Sequence, residues 1–211
     1  NITFSGLSYY TREGKKILKN VEGQAQCGEI LAIMGSSGAG KTTLLDILSG
    51  RKAKNAGKTE GFLNYSNTNV SAVYVMQNDL HIPCFTVWET LIYASRLRIA
   101  DKNGANGKKL RLKRIECLLS LMGLNSVRNT VIGSENNRGI SGGEMKRLSI
   151  AVEILNLPSL ICCDEPTSGL DSATALKVMK TIKNLSNLNL TIVITIHQPS
   201  PEIFDLFDKL P

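Results

Sequence analysis

The chain has 211 residues, 42% of them hydrophobic, which is enough for one globular domain with a sizeable core. Its net charge of +7 is confined to Arg96–Arg114, where eight basic residues stand against Asp101 alone, so the rest of the chain is neutral. This distribution excludes a generally basic nucleic-acid-binding protein. We interpret the cluster as a solvated loop and helix face. The functional alternative is attraction to an anionic membrane leaflet.

The cysteines and the apolar runs narrow the class of protein further. The five cysteines are odd in number and none form C-x-x-C spacing, which disfavours a metal site or a disulfide framework and fits a reducing cytosolic setting. No apolar run reaches the roughly 18 residues of a membrane-spanning helix, and no signal peptide opens the sequence. Because the chain begins at Asn1 and stops at Pro211 after an apolar stretch, we expect a piece of a longer protein.

Hydrophobic periodicity and capping residues predict the elements in chain order. Strands are predicted at Ile2–Tyr10, Ile17–Val21, Ile30–Met34, Phe62–Tyr65, Ala72–Met76, Leu160–Cys163 and Thr191–Ile196. Helices are predicted at Thr42–Ser49, Lys113–Met122 and Ser172–Leu185, the last after an N-cap at Asp171. Two more helices are predicted to begin at capping boxes. One begins at Thr86–Glu89 and ends at about Leu97, and the other begins at Ser141–Glu144. Arg51–Thr59 is predicted as a loop and Asn103–Gly107 as a flexible turn.

The order of these elements predicts the fold class. Strands alternate with helices at both ends of the chain, which predicts an α/β fold with a mainly parallel sheet. The region of about 87–156 lacks clear strands, so we expect a helical subdomain inserted into a single domain that spans 1–211.

The segment Gly35–Thr42 fits the phosphate-binding loop pattern G-x-x-x-x-G-K-[ST]. It lies between a predicted strand and a predicted helix, the context that separates this loop from an ordinary glycine-rich turn. Its glycines let backbone N–H groups point inward, and the helix N-terminus favours an anion. Lys41 can reach the β- and γ-phosphates, and the Thr42 hydroxyl can bind Mg²⁺. The residues expected to contact the nucleotide here are Gly35, Ser36, Ser37, Gly38, Ala39, Gly40, Lys41, Thr42 and Thr43.

Two carboxylates follow the apolar strand Leu160–Cys163. Asp164, at the strand end, can hold Mg²⁺, commonly through water. Glu165 can orient or deprotonate the attacking water. A surface acidic turn before Pro166 is the alternative, which the upstream phosphate-binding loop disfavours.

Two further polar residues follow predicted strands. Gln77 comes after Ala72–Met76, and its amide oxygen can complete the Mg²⁺ shell or touch the attacking water. His197 comes after Thr191–Ile196, where its imidazole can hydrogen-bond the γ-phosphate. Each residue alone is more often structural, but their order and their strand-end placement favour catalytic roles.

These residues together resemble the ABC ATPases over almost the whole chain. The matching motifs, in chain order, are Gly35–Thr42 (Walker A), Gln77 (Q-loop), Ser141-Gly142-Gly143-Glu144 (signature), Asp164-Glu165 (Walker B), Ser168–Asp171 (D-loop) and His197 (H-switch). The signature departs from the usual L-S-G-G-Q by Ile140 and Glu144. The segments similar to the G subfamily are that Glu, Lys146-Arg147, Cys163–Ser172 and Thr195–Ser200. Phe204–Leu210 is also similar to the White and scarlet type of half-transporter.

The resemblance implies a P-loop NTPase fold with an N-terminal antiparallel β part and a helical insert, and a domain that hydrolyses ATP with Mg²⁺ to power membrane transport. It implies that Ser141, Gly142, Gly143 and Glu144 bind the γ-phosphate held by a second nucleotide-binding domain, in a head-to-tail homo- or heterodimer. The same residues would cap their own helix whatever the function. A transmembrane domain is expected C-terminal to this chain, which places the chain at the cytoplasmic face of a membrane.

Other points stay open on the sequence alone. Tyr9 or Tyr10 can stack on adenine, although both also fit an ordinary strand. A soluble ABC ATPase in translation or DNA repair is the alternative function, and no specific nucleic-acid partner is expected. A regulatory module without turnover is disfavoured by Glu165 and His197.

Overall fold

The computed structural model describes residues 1–51, 57–66, 70–99, 104–134 and 137–210, and of residues 104–106 it describes the backbone alone. The strands are β1 (Ile2–Thr11), β2 (Lys16–Ala25), β3 (Ile30–Met34), β4 (Gly57–Tyr65), β5 (Ala72–Val75), β6 (Leu160–Cys163) and β7 (Thr191–Ile196). The helices are α1 (Lys41–Leu48), α2 (Val87–Arg98), α3 (Gly104–Leu121), α4 (Gly142–Ile154), α5 (Ser172–Ser186) and α6 (Pro201–Phe204). The chain divides into a first unit of Asn1–Gln77, Pro158–Ser168 and Ile182–Pro211 and a second unit of Asn78–Leu157 and Gly169–Thr181.

A three-stranded antiparallel sheet in the order β2-β1-β4 belongs to the first unit. The predicted loop Arg51–Thr59 is wrong at its end, because Gly57–Thr59 form the start of β4. These polar residues become a strand by pairing with β1, in which Thr11 lies opposite Gly57 and Tyr9 opposite Thr59. Such pairing supplies backbone hydrogen bonds that local propensity does not reveal. Residues 52–56 of that predicted loop lie outside the described residues.

The second sheet of the first unit has four parallel strands in the order β3-β7-β6-β5. Every residue of β6 and β7 is buried, as expected for inner strands of a parallel sheet covered on both faces. Apolar residues of both sheets and of α1 share one core. The predicted α/β fold, with a parallel core sheet and an antiparallel N-terminal part, is confirmed.

The second unit contains α2, α3 and α4 and the start of α5. Its core is apolar side chains at helical spacing, including Leu91, Ile115, Leu119 and Leu148, all fully buried. Helices α2, α3 and α4 lie within the range 87–156 for which the sequence predicted a helical subdomain, whereas α5 lies outside it, and the extent of that subdomain stays a prediction.

Helix α3 begins at Gly104, upstream of its predicted start at Lys113, so the predicted turn Asn103–Gly107 is wrong over 104–107. Asn103 lies outside the described residues. Extending a formed helix adds one backbone hydrogen bond per residue, whereas starting one is costly. The helix can therefore include glycines that disfavour it by up to about 1 kcal/mol each. Among the described residues, no helix is both long and apolar enough to cross a membrane.

Candidate nucleotide-binding site

The four parallel strands bring the predicted Walker, Q-loop and H-switch residues to one edge of their sheet. Gly35 follows β3, His197 follows β7, Asp164 follows β6, and Gln77 comes just after β5. Because all four strands run in the same direction, their carboxyl ends meet at the same edge. Ligands of open α/β sheets bind at this edge. Strand direction alone therefore assembles residues that are distant in the sequence.

The glycine-rich loop leaves the start of α1 open. Gly40 precedes α1 with a φ of 93°, in the left-handed region that favours glycine, and among the described residues no side chain caps this helix. The Nζ of Lys41 donates hydrogen bonds to the carbonyl oxygens of Gly35 and Ser36, at 3.0 Å each. Residues 35–39 are exposed. An uncapped helix start beside a buried ammonium group is suited to bind an anion.

Asp164 is 6% exposed and receives hydrogen bonds from hydroxyl groups on both sides. Its Oδ1 accepts from Thr195 Oγ1 at 2.6 Å and from Thr42 Oγ1 at 3.2 Å. Its Oδ2 accepts from the Tyr74 hydroxyl at 2.9 Å. Burial first, and then the charge of Asp164, raise the pKa of Tyr74, so its hydroxyl stays a donor. Three hydroxyl groups therefore hold the Asp164 carboxylate in a fixed orientation.

The group formed by Thr42 and Asp164 fits Mg²⁺, because both offer oxygen and their Oγ1 and Oδ1 atoms lie 3.2 Å apart. Hard divalent cations of this kind take oxygen ligands from a few side chains and keep water at the other positions. When bound, the ion would neutralise phosphate charge. The assignment of Thr42, Asp164 and Gln77 as metal ligands stays a prediction.

Glu165 is held in an uncommon backbone conformation, with a φ of 43°. A left-handed residue other than glycine costs about 1–3 kcal/mol, and such residues cluster at functional sites. Its Oε2 accepts a hydrogen bond from Gln77 Nε2 at 3.0 Å, and its Oε1 lies 3.9 Å from Lys41 Nζ. Gln77 also donates to Ser168 Oγ at 3.3 Å. The carboxylate therefore lies between Lys41 of the glycine-rich loop and Gln77.

His197 is exposed directly after the buried strand β7. The next residue, Gln198, has a φ of 46°, so the backbone turns sharply where the strand ends. This position places the imidazole at the edge that carries the phosphate-binding loop. Its catalytic role, like the roles of Glu165 and Gln77, stays a prediction.

The signature residues belong to the second unit and form the predicted capping box. The Ser141 N–H and hydroxyl donate to Glu144 Oε2 at 2.8 and 2.7 Å, and Glu144 N–H donates to Ser141 Oγ at 3.4 Å. Burial acts to raise the pKa of Glu144, but these bonds and the nearby Arg147 outweigh it and hold the pKa below its ordinary value. A Cβ on Gly143 would collide with the Thr174 methyl of α5.

Several functional contacts were not found from the sequence. Thr195 and Tyr74 both bond Asp164. The sequence drew attention to Thr195 only as part of the segment Thr195–Ser200 that is similar to the G subfamily, and not as a partner of Asp164. The predicted cap at Asp171 is present, since its Oδ1 accepts from Thr174 N–H at 3.0 Å.

Of the two tyrosines considered for adenine, Tyr9 is 5% exposed within the core of the first unit. Tyr10 is half-buried, with Lys16 Nζ 5.1 Å from its ring centroid, and is the remaining candidate.

Comparison with known proteins shows the family of the chain. The sequence model described as "ABC transporter" matches residues 18–168, which is more than half of the chain. The chain belongs to the ABC transporter family. It is 42% identical to ABC transporter G family member 6 of Arabidopsis thaliana over 206 residues, 95% of this chain and 28% of that protein.

Relatives from a second plant give the same result. ABC transporter G family member STR2 of Medicago truncatula is 40% identical over 225 residues, with 99% of this chain and 30% of that protein covered. Member STR of the same species is 42% identical over 223 residues, with 100% and 27% covered. The chain therefore spans under a third of the length of the curated relatives it matches. Membership of the ABC transporter family implies that it is an ATPase domain.

Proposed function

We propose that this chain is the ATP-hydrolysing domain of a G-type half-transporter, which powers movement of a substrate across a membrane from its cytoplasmic face. The observation that carries the proposal is the sheet edge where Lys41, Asp164 and Glu165 lie beside an uncapped helix start. Its ABC transporter family and its G family relatives support the transport role. A transmembrane domain would follow in the full-length protein.

In the proposed site, the loop Gly35–Thr43 binds the phosphates of ATP, and Lys41 neutralises their charge. Thr42 and Asp164 would hold Mg²⁺, which would neutralise phosphate charge, and Gln77 would lie near the ion and the attacking water. Glu165 would take a proton from that water, since a carboxylate can act as a general base. His197 donates a hydrogen bond to the γ-phosphate.

The site is completed in our proposal by a second nucleotide-binding domain placed head to tail. The partner would present the start of its α4, where Ser141, Gly143 and the backbone N–H groups can bind the γ-phosphate. The chain offers a matched control, because α2 begins with the same kind of capping box. Thr86 N–H and hydroxyl donate to Glu89 Oε2 at 2.8 and 2.9 Å, and Glu89 N–H donates to Thr86 Oγ1 at 3.1 Å.

The test compares Ser141→Ala with Thr86→Ala in the full-length protein. Each change removes one helix cap and costs about 1 kcal/mol of stability. Only Ser141→Ala also removes a donor to the developing phosphate charge, so it should lower the ATP hydrolysis rate by about 10²-fold. Equal rates for the two variants would contradict the proposed role of the signature.

Linked dimers test the head-to-tail arrangement. Lys41→Ala in one subunit and Ser141→Arg in the other should spoil one composite site and spare the second. Both changes in one subunit, beside a wild-type partner, should spoil both sites. ATP occupancy measured under conditions that block hydrolysis distinguishes the two arrangements. One intact site in the same-subunit dimer would show that the signature does not act across the interface.

A further inference from the structure

A buried hydroxyl group joins the two predicted Walker B residues. Thr195 is fully buried on β7, where it lies next to the end of β6. Its Oγ1 donates to Asp164 Oδ1 at 2.6 Å, and it accepts a hydrogen bond from the Glu165 N–H at 2.9 Å. One side chain therefore contacts the carboxylate of one residue and the backbone of the next.

Hydroxyl chemistry permits both bonds at once. A threonine hydroxyl has one proton to donate and two lone pairs that accept. The proton of Thr195 points to Asp164 Oδ1. This leaves a lone pair on Thr195 Oγ1 for the Glu165 N–H, which can only donate. A valine of nearly the same shape would fill the space and make neither bond.

Each bond fixes a different part of the site. Thr42 Oγ1 also donates to Oδ1 of Asp164, at 3.2 Å. Thr195 therefore orients the Asp164 oxygen that faces Thr42, another predicted metal ligand. The bond from Glu165 N–H holds the backbone where its φ is 43°. This conformation directs the Glu165 carboxylate toward Gln77 and Lys41.

We propose that Thr195 is a positioning residue that aligns Asp164 for Mg²⁺ and Glu165 for the attacking water at the same time. This inference rests on the proposed ATPase function. A threonine inside a strand thereby couples Mg²⁺ binding with ATP hydrolysis. Outer-shell partners of metal ligands typically change metal affinity or activity by about 10–100-fold when they are removed.

Tyr74 provides an internal comparison, because it contacts only one of the two residues. Its hydroxyl donates to Asp164 Oδ2 at 2.9 Å, and it lies on β5, the strand on the other side of β6. Tyr74→Phe therefore removes an Asp164 contact and leaves the Glu165 backbone bond in place. Thr195→Val removes both kinds of contact.

The experiment uses the full-length protein and the variants Thr195→Val, Thr195→Ser and Tyr74→Phe. Thr191→Val is the matched control, since Thr191 is 4% exposed at the opposite end of the same strand. Calorimetry with a non-hydrolysable ATP analogue, with Mg²⁺ and with a chelator, measures how much the metal strengthens nucleotide binding. ATPase assays over a range of Mg²⁺ concentrations measure kcat at saturating metal.

We expect Thr195→Val to weaken the Mg²⁺-dependent part of nucleotide binding by about 10–100-fold, and to keep a low kcat at saturating Mg²⁺. Tyr74→Phe should need more Mg²⁺ but regain most of its kcat. Thr195→Ser should restore both properties, because serine keeps the hydroxyl. Thr191→Val should match wild type in both measurements.

Two results would overturn the inference. Wild-type Mg²⁺ dependence and kcat in Thr195→Val would show that the hydroxyl does not position the site. Weakened Mg²⁺-dependent binding and a low kcat in Thr191→Val as well would show that only the stability of the strand matters. If Thr195→Val does not fold, Thr195→Ala, which has no polar side-chain atom and so makes neither bond, takes its place, and wild-type behaviour there has the same meaning. Failure of the wild-type protein to bind or hydrolyse ATP would instead refute the proposed function.

Discussion

The sheet edge around Asp164 and the start of α4 around Ser141 are built in opposite ways. At the sheet edge, hydroxyl groups of Thr42, Tyr74 and Thr195, from different strands and a helix, meet on one buried carboxylate. At the start of α4, Ser141 bonds Glu144, only three residues further along the chain. One arrangement depends on the assembled sheet and the other on a single helical turn.

This difference predicts how each region responds to change. A cap forms together with its own helix and depends on few neighbours. The contacts at the sheet edge depend on strand order and register, because shifting a strand by one residue turns every side chain to the other face. Substitutions at the edge should therefore have larger effects, in activity and in stability, than substitutions in the cap.

The largest effect is expected from Glu165→Gln at the sheet edge. Loss of a general base typically slows a reaction by about 10²–10⁴-fold, while the phosphate-binding loop still binds ATP. Steady-state ATPase activity of the purified full-length protein measures the rate, and calorimetry measures ATP affinity. Glu89→Gln serves as the control, because it removes a carboxylate from the cap of α2, and it should keep near-normal activity. Near-normal hydrolysis by Glu165→Gln would refute the assignment.

Lys146→Met tests whether a contact between residues that are distant in the sequence also stabilises the second unit. Lys146 Nζ lies 2.9 Å from Asp79 Oδ1, and both side chains are largely buried. Removing one partner of a buried pair leaves the other charge uncompensated and costs about 3–5 kcal/mol. Urea unfolding measures the loss. Lys58→Met, which breaks the exposed pair with Glu60, should leave the free energy of unfolding nearly unchanged, because solvent screens that pair. Equal losses of stability in Lys146→Met and Lys58→Met would show that the buried contact contributes no more than the exposed one.

Gly143→Ala tests a place where the signature itself depends on a neighbouring helix. The new methyl group would collide with the Thr174 methyl of α5, and overpacking of this kind costs about 1–3 kcal/mol. Thr174→Ser removes the obstructing methyl and should restore most of the free energy of unfolding in the double variant. An unchanged loss in the double variant would assign the effect to the backbone of α4.

The smallest effect concerns the charge of Glu144 in the cap. Because its pKa is lowered in the folded protein, it stabilises the fold above its unfolded pKa of about 4.3, and this stability is lost as the pH falls through the folded pKa. A carboxylate near a helix N-terminus contributes about 0.3–1 kcal/mol. Glu144→Gln keeps the capping geometry, so its stability relative to wild type should be lower at pH 7 and equal or higher at pH 3. A pH-independent difference in urea unfolding would contradict this.

The sequence by itself determined the features that lie within a few residues of each other. The capping boxes at Thr86 and Ser141 are present as predicted, and β3, β6 and β7 have their predicted bounds. The phosphate-binding loop could be located because its spacing, its strand and its helix are contiguous. These signals are local, and local hydrogen bonds and periodicity are what a sequence displays directly.

Only the tertiary structure decided which residues meet. Pairing with β1 converted Gly57–Thr59 from a predicted loop into strand, and the order β3-β7-β6-β5 placed Thr195 beside Asp164. Neither outcome follows from neighbouring residues, because strand order is set by burial of whole elements against one another. A hydroxyl inside an apolar strand gains its role only when another strand brings it a carboxylate.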